Sequence, residues 1–315
     1  MKKPSVLITR RLPDVATQIL SEKFDVHCSG QNVPMPADQL LEAVQKFDAI
    51  LTTVSEKFPR EVLNQSKNLR AISNYAVGLD NIDLSAAKDR DIRIYNTPDV
   101  VTNSTADYTF ALLLSLIRKT SAANEFVASG QWKAWDPFLL LGEELHGKTF
   151  GIIGFGKIGQ AVAKRALGFG LKIIFSNPRQ TTLPAELQNQ AEAVSMDELL
   201  LRSDYISIHA PLTGETKGLI NAAAFAKMQR KPLLLNMARG PLVVTQDLIS
   251  ALGSGLIRGA ALDVTDPEPL PGDHALIKAM GPNCILSPHI GTATVECRNA
   301  MARLAATNIL NHFYS

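Results

Sequence analysis

"GIIGFGKIGQAVAKRALGFG", residues 151–170, decides how the rest of the chain is read. Its glycines at 154, 156 and 159 have the G-x-G-x-x-G spacing. That spacing alone is common in loops, so the setting must carry the argument. An apolar run, "KTFGIIG" (148–154), leads into it, and "IGQAVAKRAL" follows with apolar residues at helical intervals. "LKIIFS" (171–176) then reads as the next strand and completes a β-α-β unit. In such a unit Gly154 permits the tight turn and Gly156 lets a pyrophosphate approach the backbone. Gly159 allows close packing of helix on strand, and the helix N-terminus faces the phosphates. The expected dinucleotide contacts in this loop are Gly154, Phe155, Gly156, Lys157, Ile158 and Gly159.

A dinucleotide fold of this kind carries an Asp or Glu about 20 residues further on, for the adenosine ribose. "SNPRQ" (176–180) offers Asn177, Pro178 and Arg179 there, and the next acid, Glu186, lies too far along. A carboxylate would repel a 2′-phosphate by a few kcal/mol at about 4 Å and an effective dielectric of ~20. Asparagine removes that repulsion, and arginine can fork onto a phosphate. These three residues predict NADP, with NADPH preferred over NADH.

Short apolar runs and helical patterns alternate along the whole chain. "SVLIT" (5–9), "FDVHC" (24–28), "DAILTT" (48–53), "RAISN" (70–74) and "IRIYN" (92–96) read as one series of strands. "KTFGIIG" (148–154), "LKIIFS" (171–176), "DYISIHA" (204–210), "PLLLNM" (232–237), "IRGAALDV" (257–264) and "NCILSP" (283–288) form a second. Nearly continuous apolar strands separated by helices predict parallel sheets covered on both faces. The fold class is therefore α/β with two doubly wound parallel-sheet domains, split by a helical region at about 99–130. No 20–50-residue repeat is present.

The 315 residues suffice for two domains, each with its own core. With 46% hydrophobic and 20% charged residues, the composition is globular. A net charge of +2 gives no field for nucleic acid. The apolar run after "MKK" is too short for a signal peptide. "YTFALLLSLI" (108–117) is about half of what a membrane crossing needs, and reads as a buried helix. Cys28, Cys284 and Cys297 show no metal spacing and suit reduced thiols in a cytoplasmic protein. No metal site is expected.

Hydride chemistry needs a proton donor and a cation to polarise a carbonyl. Of six histidines, His209 ends an apolar strand in "DYISIHAPLT", and His289 leaves one in "LSPHIGTAT". Either could be the donor. "PLLLNMARGPLV" sets Arg239 just past another strand, and "ALDVTDPEPLP" places Asp263 and Glu268 in a proline-stiffened loop. Strand ends of this kind are where open α/β sheets bind ligands.

The order and spacing of these motifs resemble the D-isomer-specific 2-hydroxyacid dehydrogenase family, most closely its glyoxylate and hydroxypyruvate reductase branch. The matching stretches are "SNYAVGLDNID" (73–83), "NTPDVVTNSTAD" (96–107), "GKTFGIIGFGKIGQAVAKRA" (147–166), "NMARGPLV" (236–243), "LDVTDPEP" (262–269) and "SPHIGTAT" (287–294). The resemblance implies NADPH-dependent reduction of small 2-oxo acids. Arg239 would bind the substrate and polarise its carbonyl, and His289 would give the proton. Glu268 would pair with His289, because a nearby carboxylate favours an imidazolium.

The amides of Val77 and Gly78 would hold the substrate carboxylate. Further cofactor contacts are expected at the strand ends, from His209, Ala210 and Pro211 and from Met237 and Ala238, together with Asp263 and Gly291. The family also implies a Rossmann dinucleotide-binding domain over 99–286 and a discontinuous flavodoxin-like substrate domain from 1–98 and 287–315. It further implies a homodimer in which the arm "GQWKAWDPFLLLGEEL" crosses to the neighbouring subunit, with Trp135 limiting substrate size. The alternatives are an NAD-dependent 3-phosphoglycerate dehydrogenase and a nucleotide-sensing corepressor of the same fold.

Overall fold

The computed structural model describes residues 3–178, 182–278 and 283–315. The chain divides into two compact units, Met1–Val101 with Ala293–Ser315, and Thr102–Thr292. In the first, strands β1 (Ser5–Ile8), β2 (Asp25–Cys28), β3 (Ala49–Thr52), β4 (Ala71–Asn74) and β5 (Arg93–Tyr95) form one parallel sheet in the order β2-β1-β3-β4-β5. This is the flavodoxin-like order. Every residue of β3 and β4 is buried, so neither sequence shows polar alternation. Helix Ala37–Lys46 turns Leu40, Ala43 and Val44 onto Ile50 and Ile72. The C-terminal helix Val295–Tyr314 returns to pack against β3, β4 and helix Val15–Ser21.

The second unit holds β6 (Thr149–Ile153), β7 (Lys172–Ser176), β8 (Ala191–Ala193), β9 (Tyr205–Ile208), β10 (Leu233–Asn236), β11 (Gly259–Leu262) and β12 (Cys284–Leu286). All seven pair in parallel, in the order β12-β11-β10-β9-β6-β7-β8. Read from β8, this is the Rossmann order with one strand added, and its direction of winding reverses between β6 and β9. Strand β8 is not among the strands expected from the sequence. Its residues, "AEA", are mostly exposed and form no apolar run.

The region expected to be helical at 99–130 is two helices, Thr102–Ile117 and Thr120–Ala128, broken where Lys119 takes φ 53°. The first buries Phe110, Leu112, Leu113, Leu116 and Ile117, so "YTFALLLSLI" lies in the core. Among the described residues no helix is long and apolar enough to cross a membrane. The expected junctions at 98/99 and 286/287 fall a few residues before those of the compact units. Residues 287–292 stay with the second unit because Asp263 takes hydrogen bonds from Ser287, Ile290 and Gly291.

Phe150 on β6 is fully buried, stacks on Phe110 at 5.9 Å and touches Tyr205 at 6.4 Å. Truncation there leaves a cavity between the sheet and helix Thr102–Ile117. Phe150→Ala is expected to lower unfolding free energy by about 3–5 kcal/mol in urea titrations. A loss under ~1 kcal/mol would show that this contact is not central to the core.

Candidate active site

At Gly154, φ is +86° and a Cβ would lie 2.6 Å from the Ala210 nitrogen. Only glycine lets this loop press against the end of β9. A side chain at Gly159 would collide with the Gly154 carbonyl, so the helix starts directly against the turn. Gly156 is different. A Cβ there would meet nothing within 4 Å, and the space beside it is open. Gly156 is also the N-cap of helix Lys157–Gly168, and as a glycine it brings no side chain of its own to that end. A helix N-terminus beginning at a glycine suits the pyrophosphate of a dinucleotide.

The far wall of the loop is the end of β7. Gly154 N donates to Ser176 O (2.9 Å), and Phe155 N to Asn177 Oδ1 (3.4 Å). Asn177 thus stands beside the glycine loop where an acid was expected. Pro178 follows on the surface, and Arg179 lies outside the described residues. Glu186 is turned to Lys164 at 3.1 Å. The Phe155 ring is buried on Phe175 at 3.8 Å, which leaves only its backbone to a ligand.

The two candidate histidines differ sharply. His209 is half-buried, with Nε2 2.8 Å from Ser207 Oγ and a buried Nδ1 that finds no partner among the described residues. Burial drives its pKa down to about 3, so at neutral pH it has no proton to give. Its neighbour Ala210 and Met237 at the end of β10 are nearly buried, while Pro211 is exposed and Ala238 half-buried.

His289 is half-buried and takes φ +56°, a left-handed conformation uncommon for a side-chain-bearing residue. Asp263, 3% exposed at the end of β11, imposes that turn. Its Oδ1 accepts from Ser287 Oγ (2.7 Å) and Ile290 N (2.8 Å), and its Oδ2 from Gly291 N (2.7 Å). Its carbonyl takes the His289 amide at 2.9 Å. Asp263, expected at the cofactor, thus turns both carboxylate oxygens toward its own chain. Ser104 Oγ holds the Gly291 carbonyl at 2.9 Å.

His289 Nδ1 lies 2.7 Å from Glu268 Oε1, so Nε2 is the ring atom left for a reacting group. Burial would raise the Glu268 carboxyl. The bond to His289 and its charge, the Thr265 amide and the Arg239 guanidinium outweigh that and hold it below the usual range. Arg239 owes its turn to Asn236, whose Oδ1 accepts from Ala238 N (3.1 Å) and whose Nδ2 donates to the Arg239 carbonyl (2.8 Å). Gly240 follows because any Cβ would strike the Thr265 backbone. The Arg239 and Glu268 loops are therefore in direct contact.

In the first unit, residues 75–79 form a turn beyond β4. The carbonyls of Val77 and Gly78 accept from Asn96 Nδ2 and Asn74 Nδ2, both at 2.8 Å. Their N–H groups donate to nothing among the described residues. The arm of the second unit is exposed within its own chain. Trp135 is 83% accessible and Phe138 78%, while an Asp136 turn, with Phe138 N on Oδ1 at 2.7 Å, fixes the direction of the tip.

Sequence reasoning assigned no role to Asn74, Asn96, Ser104 or Asn236. Each stood inside a quoted motif, and an asparagine beside a glycine- or proline-rich turn was the available signal.

Comparison with known proteins agrees with this geometry. Residues 110–291 match the D-isomer specific 2-hydroxyacid dehydrogenase NAD-binding domain. The glyoxylate reductase of Pyrococcus furiosus is 44% identical over 312 residues, 98% of this chain and 92% of that protein. A solved protein of Thermus thermophilus superposes with a TM-score of 0.90 at 42% identity, covering 98% of this chain and 96% of that one. The NADPH-dependent glyoxylate/hydroxypyruvate reductase of Sinorhizobium meliloti, solved with NADP and malonate, gives 0.85 at 28% identity over 100% and 95%. Full-length identity, both sheet orders and the matched nucleotide-binding domain agree. The chain is an enzyme of the D-isomer-specific 2-hydroxyacid dehydrogenase family, in the branch that holds the glyoxylate reductases.

Proposed function

We propose that the chain reduces glyoxylate and hydroxypyruvate to glycolate and D-glycerate with NADPH, His289 acting as general acid. The observation that carries this reading is the His289–Glu268 pair at 2.7 Å, in contact with the turn that presents Arg239. A nicotinamide dinucleotide, when bound, supplies the hydride to the carbonyl carbon. Arg239 polarises the carbonyl and attracts the 2-oxo acid. His289 delivers the proton from Nε2 to the carbonyl oxygen, and Glu268 stabilises the imidazolium before transfer. The reading assigns the substrate carboxylate to the free amides of Val77 and Gly78 in the first unit. NADPH is favoured by Asn177 in place of an acid and by Arg179 in the sequence. The Sinorhizobium relative's use of NADPH supports the same choice. The helix N-terminus at Lys157, Ile158 and Gly159, and the ends of β9 and β10, complete the cofactor surface in this reading.

The exposed arm fits a second copy of this chain. Trp132, Trp135, Phe138 and Leu141 lie open together over ten residues, more apolar surface than a lone subunit would leave uncovered on so short a segment. In the homodimer so formed, Trp135 bounds the neighbour's substrate space.

Kinetics separate these roles. Steady-state kcat/KM should favour NADPH over NADH, and Arg179→Ala should erode the preference by roughly 1.5–3 kcal/mol; equal use of both cofactors would refute the assignment. His289→Ala should cut kcat by about 10²–10⁴ while NADPH still binds.

The pH profile tests the pair. The Glu268 carboxyl titrates below its ordinary range, so it stays ionised, and the pair intact, until pH falls through that lowered value. Glu268→Gln should move the alkaline limb of reduction to lower pH, because a neutral amide stabilises an imidazolium less than a carboxylate does. An unmoved limb would remove Glu268 from the mechanism.

Light scattering should give a dimer, and a particle of single-chain mass at micromolar concentration would refute it. Trp135→Ala should raise relative kcat/KM for phenylpyruvate against hydroxypyruvate. If the unaltered protein already uses both equally, Trp135 sets no size limit.

A further inference from the structure

Two asparagine side chains and one backbone amide of the first unit converge on the turn after β4. The carbonyl of Ala76 accepts from Thr97 N at 2.8 Å, that of Val77 from Asn96 Nδ2 at 2.8 Å and that of Gly78 from Asn74 Nδ2 at 2.8 Å. The anchors are themselves held. Asn308 Nδ2, on the C-terminal helix, donates to the Asn96 carbonyl at 3.0 Å. Asn74, fully buried, also donates to Asn81 Oδ1 at 3.0 Å, and Asn81 Nδ2 binds the carbonyls of Thr53 and Glu56 at 3.0 Å each.

In a trans peptide plane the C=O and N–H point opposite ways. Fixing the Ala76 carbonyl therefore fixes the direction of the Val77 N–H, and fixing the Val77 carbonyl fixes that of the Gly78 N–H. Both planes are tied to the same short segment, residues 96–97. Both N–H groups therefore point away from it, side by side, and neither donates to any described residue. Adjacent amides held in this way form a concave receptor for an anion, set before the anion arrives.

We propose that Asn96, braced by Asn308, is a positioning residue that, together with the Thr97 amide, holds the Val77 and Gly78 amides as a preformed receptor for the substrate carboxylate. Asn74 anchors the chain just beyond them through the Gly78 carbonyl. The proposal rests on the reading that these amides bind that carboxylate. Without the Asn96 side chain the 77–78 plane is free to rotate, and binding must supply the order that the fold no longer provides. The cost should fall on substrate binding, because the groups that move hydride and proton belong to other loops.

The test uses the full-length protein with bound cofactor. It measures KM and kcat for glyoxylate, the Kd of oxamate (an unreactive two-carbon isostere that keeps the carboxylate) and the Kd of NADPH. Asn96→Ala should raise KM and the oxamate Kd about tenfold, with kcat within about threefold and NADPH binding within about twofold. Asn96→Asp keeps the shape but cannot donate to the Val77 carbonyl and adds a repelling charge, so its effect should be at least as large. It decides the matter if the alanine variant fails to fold. A parallel fall in kcat and NADPH binding, or unchanged KM and oxamate binding in both variants, would overturn the proposal.

Replacing the Val77 amide by an ester, using the matching α-hydroxy acid, tests the underlying reading separately. If the ester weakens oxamate binding but the Asn96 variants do not, the amides bind carboxylate and the asparagine does not position them. If the ester changes nothing, the amide reading itself fails.

Discussion

The carboxylate of Asp263 holds the loop carrying His289 at the carboxyl edge of the second unit in place. It is almost wholly buried, and three hydrogen bonds from residues 287–291 converge on it. Hydrogen bonds to a charged acceptor are among the stronger ones, and a buried carboxylate with its donors removed is costly. The chain therefore folds around the acid, even though this puts His289 in a left-handed conformation. That conformation directs the imidazole to Glu268, while the Ser104 contact to Gly291 ties the same turn to the start of helix Thr102–Ile117. Arg239 reaches its place by a parallel device, since Asn236 binds the backbone on both sides of the turn and Gly240 lets that turn sit on Thr265.

Both units follow one topological rule. In a parallel sheet covered on both faces, the strands are occupied with their neighbours, and the loops at the carboxyl edge carry the unpaired backbone groups. Among the described residues the first unit leaves two amides without an acceptor beyond β4, and the second starts a helix at a glycine beyond β6. Neither is a charged side chain. In each unit glycine or asparagine sets the direction of the backbone groups at that edge.

Much of this could be read from the sequence, for identifiable reasons. Eleven runs marked eleven strands, most of them because buried parallel strands need no polar alternation, while the exposed edge strands β2 and β5 kept enough apolar residues to be seen. Strand β8 escaped because an edge strand with two exposed residues in three has no such signature. The helical break at Lys119 escaped because lysine gives no local signal for a positive φ. Arg239, Glu268 and His289 stood out by residue type and by their place after strands. Their 2.7 Å pairing across 21 positions was implied by the resemblance and not by the residues themselves. The actual partners of Asp263, and the asparagines at 74, 96 and 236, could not be read this way. A hydrogen bond to a specific amide depends on turn geometry that residue identity does not encode.

His209 ties the fold to proton concentration in a way separate from catalysis. Burial of its ring lowers the pKa to about 3, whereas in an unfolded chain it would titrate near 6.5. Above 6.5 neither state holds the proton and the residue is neutral toward stability. Below it the unfolded chain takes up a proton that the native state refuses, so each further unit of acidity favours unfolding by about 1.4 kcal/mol until pH approaches 3. A ring whose charge the fold opposes thus adds an acid sensitivity to the native state that begins just below neutrality.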